Sequence, residues 1–386
     1  MGSRNLPFAL LVLFAFLTPA IAPAYIAFGL LLLAWVIRLR RERRVPDSLR
    51  SPFVFVVGLF GLFAAVSTAF SRNPAVSARH VTGGLLLLLV PIAMDLIDDL
   101  PRARTIVLTL SGSGGLLALL GIWQYLHGGD DLDNRIRGTL SHYMTFSGLT
   151  MIAGCLLLGF ALEERGRWRW IGLCGAVPLL AVLLTFTRGA YMGILAALVL
   201  LAAVRRPRGL LWLAPVLVAV FFLAPAEIRG RIRSITDLSD RTNRDRIAMV
   251  HAGARMVADS PIFGLGPDMV QPYYALYRDP GAPRWRVPHL HNNAVQIAAA
   301  NGLFAAAAYV MVIAVFLART IVILRRERRP ERAAIWTGVL LAGVALTVAG
   351  LFEYNFGDTE VEMATLLVFA IPFSKAAPAA PPLESS

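Results

Sequence analysis

Three residues combine a chemically useful side chain with an unusual setting: Arg188, Arg246 and His291. Arginine pairs with phosphate oxygens in a planar, two-pronged geometry, and histidine exchanges protons near neutral pH. Arg188 interrupts an apolar run at Thr187-Arg188-Gly189, and His291 precedes another apolar run that begins near Ala294. These residue types suit a reaction in which a phosphate group leaves and a hydroxyl loses its proton.

Arg188 lies inside an apolar run over residues 168–206, which is broken only at Thr187-Arg188-Gly189. We interpret this stretch as two short membrane spans that meet at Arg188, at or just below the outer membrane face. Because an arginine at such a depth is costly, it is a candidate for function. The alternative is a turn residue whose side chain snorkels outward to water.

Arg246 lies in a polar segment, residues 226–301, that holds ten arginines and seven acids. Thr242-Asn243-Arg244-Asp245 predicts a capping box before a helix over residues 246–258. An apolar face with helical spacing is formed by Ile247, Val250, Ala254 and Val257. We expect this helix to lie along the membrane surface, with Arg246 presenting its guanidinium to a lipid pyrophosphate. The alternative for Arg246 is a surface salt bridge with Asp245 or Asp240.

His291 stands at the mouth of an expected outer cavity, where a histidine is suited to act as a general base. The alternative is a purely structural histidine, and the neighbouring His289 is less suited to be the base. Glu353 follows a later span, and we expect it to pair with Arg188 or to orient an acceptor. Asp131-Leu132-Asp133 has the spacing with which metal-dependent glycosyltransferases hold a divalent ion, but we interpret these residues as solvated loop acids.

The composition of the whole chain indicates a polytopic, all-α membrane protein. Its 386 residues are 57% hydrophobic and only 16% charged, and the mean hydropathy is +0.65. Long apolar runs recur along the chain, as in multi-span proteins. The net charge of +13 does not indicate nucleic-acid binding, because no compact basic domain is present.

About twelve transmembrane helices are predicted from runs of ~20 apolar residues. They cover residues 5–19, 22–37, 52–70, 79–97, 104–125, 143–162, 169–186, 189–204, 209–225, 293–318, 333–351 and 355–373. Residues 1–24 resemble a signal peptide, but they run directly into another apolar stretch, so we expect an uncleaved span. Pro19 and Pro23 favour two spans over one helix from Leu6 to Ile37, which would be ~48 Å long.

The basic residues orient these spans. With the N-terminus inside, 22 of the 37 basic residues fall on the cytoplasmic side, as the positive-inside rule requires. We expect residues 1–225 to hold the first nine helices and 226–292 to form a helical periplasmic loop. Residues 293–373 would hold the last three helices, and 374–386 a disordered cytoplasmic tail. Ten outer-loop arginines then break the charge rule, and an anionic substrate is the best reason for them.

Four sets of residues, in this order, resemble the O-antigen ligase/polymerase superfamily of bacterial inner membranes. They are Arg135-Ile136-Arg137-Gly138-Thr139 before Ser141-His142-Tyr143-Met144; Thr185-Phe186-Thr187-Arg188-Gly189-Ala190; Arg246-Ile247 before Asp259-Ser260-Pro261-Ile262-Phe263-Gly264-Leu265-Gly266-Pro267; and His291-Asn292-Asn293-Ala294-Val295-Gln296 before Asn301-Gly302-Leu303. Each motif is weak alone, but their order and spacing are specific. The chain departs from the family at Asn301, where an acid is frequent, and at Val295, where leucine is usual.

The resemblance implies an enzyme that moves a glycan from undecaprenyl pyrophosphate onto a lipid A–core sugar hydroxyl, at the periplasmic face of the inner membrane. By this resemblance Arg188 and Arg246 hold the pyrophosphate, and His291 accepts the proton. Further residues expected to bind substrate are Arg137, Asn292, Arg244, Glu353 and His289. No metal or cofactor is expected, because arginines neutralise the leaving group and the donor is already activated. The expected partners are the two lipid-linked substrates and membrane lipids, without nucleic acid.

Two other functions stay open from the sequence. A polymerase of the same superfamily would extend a lipid-linked glycan instead of modifying lipid A–core. A membrane transporter belongs to a different class, and it would more often show inverted repeats and charged groups at the membrane midplane. The clustering of charged candidates at one face favours the transferase over the transporter.

Overall fold

The computed structural model describes residues 5–80, 83–128, 135–205, 207 and 209–378, and these residues form helices without any strand. The first helices are α1 (Asn5–Leu17), α2 (Ile21–Glu42), α3 (Pro52–Ala69), α4 (Pro74–Ser77), α5 (Leu89–Leu96), α6 (Leu100–Leu126), α7 (Tyr143–Glu163), α8 (Arg167–Leu173) and α9 (Ala176–Leu184). The others are α10 (Arg188–Arg205), α11 (Gly209–Leu223), α12 (Ala226–Arg233), α13 (Arg241–Asp259), α14 (Val270–Tyr277), α15 (Asn293–Arg326), α16 (Pro330–Ala349) and α17 (Thr359–Ala370). The all-α prediction is confirmed for the described residues.

Eight helical segments of the described chain are long and apolar enough to cross a membrane, so the predicted number of twelve is not confirmed. The apolar runs that fall short include α1, with 13 residues, and α17, with 12. At 1.5 Å per residue such helices reach only ~20 Å, less than the ~30 Å hydrocarbon core. The first apolar run is divided into α1 and α2, as the prolines predicted.

The centre of the bundle is the contact between α7 and α16, the two most deeply buried of the long helices. Small residues allow this close approach. A Cβ atom on Gly159 would lie 2.2 Å from the carbonyl oxygen of Ala334, and one on Gly338 would lie 2.5 Å from that of Leu156. Close backbone contact of this kind is how helices associate where apolar burial offers no advantage over lipid.

Arg205 and Arg104, two of the arginines that the charge rule assigned to the cytoplasm, lie at one end of the bundle. Arg205, at the end of α10, contacts the Glu163 carboxylate and donates to the carbonyl oxygens of Leu324 and Glu327. Arg104 pairs with Glu164 on the neighbouring helix at 3.3 Å. These contacts bring the ends of several helices to one side, so the starts of α7, α10 and α15 lie at the opposite end.

Helix α15 is broken at Gly302, where φ is +85° and ψ is 172°. The loop before α14 fills the break. The amides of Leu265 and Gly266 donate to the carbonyl oxygens of Ala299 and Ala300, at 2.8 and 2.9 Å. Irregular backbone inside a long apolar helix is tolerated when neighbouring protein groups satisfy it in this way. The break therefore attaches the polar outer segment firmly to the bundle.

The predicted helix of the polar segment is present as α13, but it begins earlier than expected. Its N-cap is Asp240, whose carboxylate accepts from the amides of Thr242 and Asn243 at 3.0 and 3.1 Å. The predicted capping box at Thr242 is therefore wrong. Asp240 is favoured because its carboxylate reaches two free amides of the first turn and lies near the positive end of the helix dipole.

The face of α13 that packs onto the protein also differs from the apolar face marked in the sequence. Met249, Ala252 and Met256 are buried against the loop that precedes α15. Ile247 and Val250 remain exposed, at 43% and 39%. This helix has two apolar faces, and only its packing partners decide which becomes core. The position of the exposed face along a membrane surface stays a prediction.

Candidate active site

A cavity of about 410 Å³ opens at the end of the bundle where α7 and α10 begin. Helix α13 and the segments just before α15 and just before α17 complete its wall. It is lined by five arginines and only three carboxylates, so we call it the basic cavity. The arginines are Arg135, Arg188, Arg231, Arg246 and Arg284, and the carboxylates are Asp245, Glu353 and Asp358.

The structure brings together five of the residues singled out in the sequence. Arg188, Arg246, His289, His291 and Glu353 all line the basic cavity, although they come from four separate stretches of the chain. This convergence could not be read from the sequence, because nothing local fixes the distance between residues so far apart. The roles expected of these side chains remain proposals.

Three other expected substrate-binding residues do not line the basic cavity. Asn292 caps α15, since its side-chain oxygen accepts from the Val295 amide at 3.0 Å. Arg137 is exposed, with a guanidinium nitrogen 3.5 Å from the carbonyl oxygen of Ser141. Arg244 is also exposed, on another face of α13 from the cavity. Their part in substrate binding stays a prediction.

Arg188 is the first residue of α10 and is buried. Its guanidinium donates to the carbonyl oxygen and the hydroxyl of Ser234, at 2.8 and 2.9 Å, and to the Asp240 carboxylate at 3.1 Å. A guanidinium has five N–H donors, so two remain after these three bonds. The predicted meeting of two helices at this arginine is confirmed, because α9 ends at Leu184.

Arg246 is partly buried and lines the same cavity, but it makes no hydrogen bond or ion pair within the described parts of the chain. The two acids considered as its partners are used elsewhere. Asp240 pairs with Arg188, and Asp245 pairs with Arg284 at 2.9 Å. Burial lowers the pKa of Arg246, and Arg188 adds to this effect, while Glu353 opposes it. A buried guanidinium without a counter-ion is stabilised when an anion binds beside it.

Arg231 and Arg135 add positive charge that the sequence did not single out. Arg231 donates to the carbonyl oxygen of Phe186 at 3.3 Å. Its pKa is lowered to about 10, chiefly by burial and then by the nearby charges of Arg188 and Arg135. The Arg135 guanidinium lies over the Tyr143 ring, 4.3 Å from its centre. No local pattern distinguishes Arg231 from the other loop arginines, so only the tertiary structure could identify it.

Glu353 joins the two histidines. Its Oε2 lies 2.7 Å from Nδ1 of His291, and its Oε1 lies 3.3 Å from Nε2 of His289. The expectation that Glu353 pairs with Arg188 is therefore wrong. Arg188 is taken by Asp240, which reaches it from the N-terminus of α13. Burial alone would raise the pKa of Glu353, but the hydrogen bond from His291 and the nearby cationic groups outweigh it and lower that pKa.

These partners fix the proton positions on both rings. Since Glu353 is an ionised acceptor, Nδ1 of His291 is the donor, and Nε2 of the neutral ring carries a lone pair. His289 accepts from the His291 amide at Nδ1, at 3.3 Å, so the proton of its neutral ring lies on Nε2, which is 3.3 Å from a Glu353 oxygen. Burial lowers the pKa of His289 to about 4. His289 is thus neutral, whereas Nε2 of His291 has no hydrogen-bond partner among the described residues and can accept a proton.

His291 also has an unusual backbone, with φ at +50°. A non-glycine residue in this region costs on the order of 1–3 kcal/mol, and such residues concentrate at functional sites. The conformation turns the chain just before α15 and brings the imidazole towards Glu353. The neighbouring Leu290 stabilises this backbone conformation, because its side chain is buried and its amide donates to the Gln296 side chain at 2.9 Å.

Three further residues of the cavity were not proposed as site residues from the sequence: His142, Tyr143 and Asp358. His142 caps α7 by accepting from the Met144 amide, and burial lowers its pKa. Asp358 accepts a hydrogen bond from the Thr145 hydroxyl at 2.9 Å, and burial raises its pKa to about 7. The motif quoted around His142 was the only local signal for any of them.

His289, His291 and Glu353 could in principle hold a metal ion, since their ligand atoms lie within 4.8 Å of one another. Nδ1 of His291 is hydrogen-bonded to one Glu353 oxygen, and the other Glu353 oxygen accepts from the Tyr354 amide. The expectation that no metal is needed stays a prediction. The Asp131-Leu132-Asp133 motif lies outside the described residues.

One known family matches a stretch of the chain that contains several of these residues. Residues 173–310 match the family model described as O-antigen ligase, and the resemblance to the O-antigen ligase/polymerase superfamily is thereby confirmed. The match includes Arg188, Arg246 and His291, while Glu353 follows it. No curated protein matches the chain. Eight helices of the described residues are long and apolar enough to cross a membrane, which indicates a multi-pass membrane protein, and residues 173–310 are similar to the O-antigen ligase family.

Proposed function

We propose that this protein transfers a glycan from undecaprenyl pyrophosphate to a lipid A–core sugar hydroxyl, at the periplasmic face of the bacterial inner membrane. The observation that carries the proposal is the presence, in one cavity, of Arg246 and of Nε2 of His291, neither of which has a hydrogen-bond partner among the described residues. The first suits an anionic leaving group, and the second suits a hydroxyl that must lose its proton. The O-antigen ligase segment supplies the class of reaction.

In the proposed reaction the acceptor oxygen attacks the anomeric carbon of the donor glycan. The bond between that carbon and the phosphate oxygen breaks, and undecaprenyl pyrophosphate leaves with the electron pair. Nε2 of His291 takes the proton of the acceptor hydroxyl, and Glu353 stabilises the imidazolium that results. Arg246 and the remaining donors of Arg188 bind the pyrophosphate, whose negative charge increases as the bond breaks. Arginines in these places take the part of a metal ion, and the activated donor makes a nucleotide unnecessary.

Glycan transfer by the purified protein in liposomes tests this proposal, with lipid-linked glycan and lipid A–core as substrates. We expect product from the wild type and at least a 100-fold loss in His291→Ala, in the range for removal of a general base. His251→Ala is a matched control, because His251 is an exposed histidine that contacts Asp279 rather than the cavity. Elongation of lipid-linked glycan without transfer to lipid A–core would favour a polymerase. Absence of both products would refute the proposal.

A further inference from the structure

A second cavity, of about 450 Å³, lies beside the basic cavity between α3 and the first half of α15. The two cavities share three lining residues: Pro288, His289 and Asp358. The ring centres of His289 and His291 are 4.3 Å apart. A ligand in the second cavity can therefore extend past this shared wall towards the free nitrogen of His291.

The two cavities differ in charge. The second cavity is lined by three carboxylates, those of Asp268, Asp358 and Glu362, and by a single arginine, Arg79. The basic cavity has five arginines for three carboxylates. A pyrophosphate is therefore attracted to the basic cavity, where five arginines can neutralise it, and finds only Arg79 among the described lining of the second. The second cavity thus suits a part of the substrates that carries no phosphate.

The lining chemistry of the second cavity fits a sugar. Phe60 and Phe356, whose ring centres are 5.9 Å apart, supply aromatic surface for the apolar C–H faces of a pyranose. Gln271 and Glu362 supply hydrogen-bonding groups for its hydroxyls. Neither side chain makes a hydrogen bond or ion pair within the ranges that the structure describes, so both are available to a ligand.

We infer that the second cavity binds the neutral acceptor sugar, with His289 and Asp358 at the boundary where the acceptor hydroxyl enters the basic cavity. This inference rests on the proposed function and adds to it the site and the chemical class of the acceptor. The anionic donor and the uncharged acceptor then approach His291 from different sides. Such an arrangement holds the two reacting groups in a fixed relation, which is a large source of rate enhancement.

The test measures KM separately for the lipid-linked donor and for lipid A–core. Gln271 is exposed, so Gln271→Ala leaves the fold intact, and we expect its acceptor KM to rise about two- to tenfold. For Glu362→Gln we also expect a rise of about two- to tenfold, as for loss of one hydrogen bond between neutral groups. Glu360→Gln is the control, because Glu360 lies on the same helix but lines neither cavity. The donor KM should stay unchanged in all three variants.

Other results would overturn the inference in distinguishable ways. A raised donor KM with an unchanged acceptor KM would assign the second cavity to the polyprenyl chain of the donor. Unchanged values for both substrates in both cavity variants would show that the cavity holds neither. A wild-type protein that transfers no glycan would refute the proposed function itself, and the acceptor assignment with it.

Discussion

Replacement of Glu353 by glutamine is the perturbation that best tests how His291 is oriented. The carboxylate accepts one hydrogen bond from Nδ1 of His291 at 2.7 Å and another from the Tyr354 amide at 3.1 Å. A glutamine amide has one acceptor and one donor, so it can satisfy only one of these two partners. The Tyr354 backbone amide is always a donor, so it cannot adapt to a glutamine nitrogen placed opposite it.

The size of the effect follows from these contacts. If the amide nitrogen faces His291, the proton moves to Nε2 and the base is lost in most molecules. If it faces the Tyr354 amide, two donors meet. Either state forfeits one hydrogen bond to a charged group, about 1.5–3 kcal/mol. We therefore expect kcat to fall roughly 10- to 150-fold in Glu353→Gln, with little change in the donor KM, because the arginines are untouched.

The assay is the initial rate of glycan transfer in liposomes at saturating donor and acceptor, with thermal unfolding measured in parallel. Glu360→Gln serves as the control, since it removes a buried carboxylate that lies outside both cavities. Its rate should stay within about twofold of the wild type. A folded Glu353→Gln protein that transfers glycan at the wild-type rate would refute the assignment of this carboxylate as the group that orients His291.

Three further outcomes are expected. Arg246→Ala should weaken equilibrium donor binding about 10- to 100-fold, as for loss of a charge-assisted contact. Arg255→Ala is the control, because Arg255 lies on the same helix but pairs with Asp279, and it should leave donor binding unchanged. Equal losses in the two variants would contradict the role of Arg246. Because the pKa of His289 is lowered to about 4 in the folded protein, the unfolded state binds more protons between pH 6.5 and 4. The neutral His289 ring therefore contributes at most about 3 kcal/mol to the free energy of unfolding, and this contribution is lost as pH falls from 6.5 to 4. The melting temperature of His289→Gln should depend less steeply on pH than that of the wild type. Gly302→Ala should destabilise the protein by more than about 3 kcal/mol, since a Cβ there would lie 2.0 Å from a backbone oxygen, whereas Gly281→Ala, with open space around it, should be nearly neutral in the same thermal assay.

Several features were determined by the sequence alone. The long apolar runs predicted an all-helical membrane protein, because a helix satisfies all backbone hydrogen-bonding groups within its own segment when it lies in lipid. The break at Arg188 and the helix that carries Arg246 also followed from local signals. The exact number of spans could not be predicted from the sequence, because hydropathy cannot decide whether a run of about 12–15 residues crosses a membrane or ends within it.

Only the tertiary structure decided the partners in the site. Sequence spacing specifies neighbours three or four residues apart on a helix, but Glu353 meets His291 across 62 positions, and Arg188 meets Asp240 across 52. The same holds for the convergence of five arginines and for the second cavity beside the break in α15. These features depend on how helices pack and how loops are attached to them. Arg188, Arg246 and His291 could therefore be proposed one by one from the sequence, whereas Arg231 and the arrangement of the whole site could not.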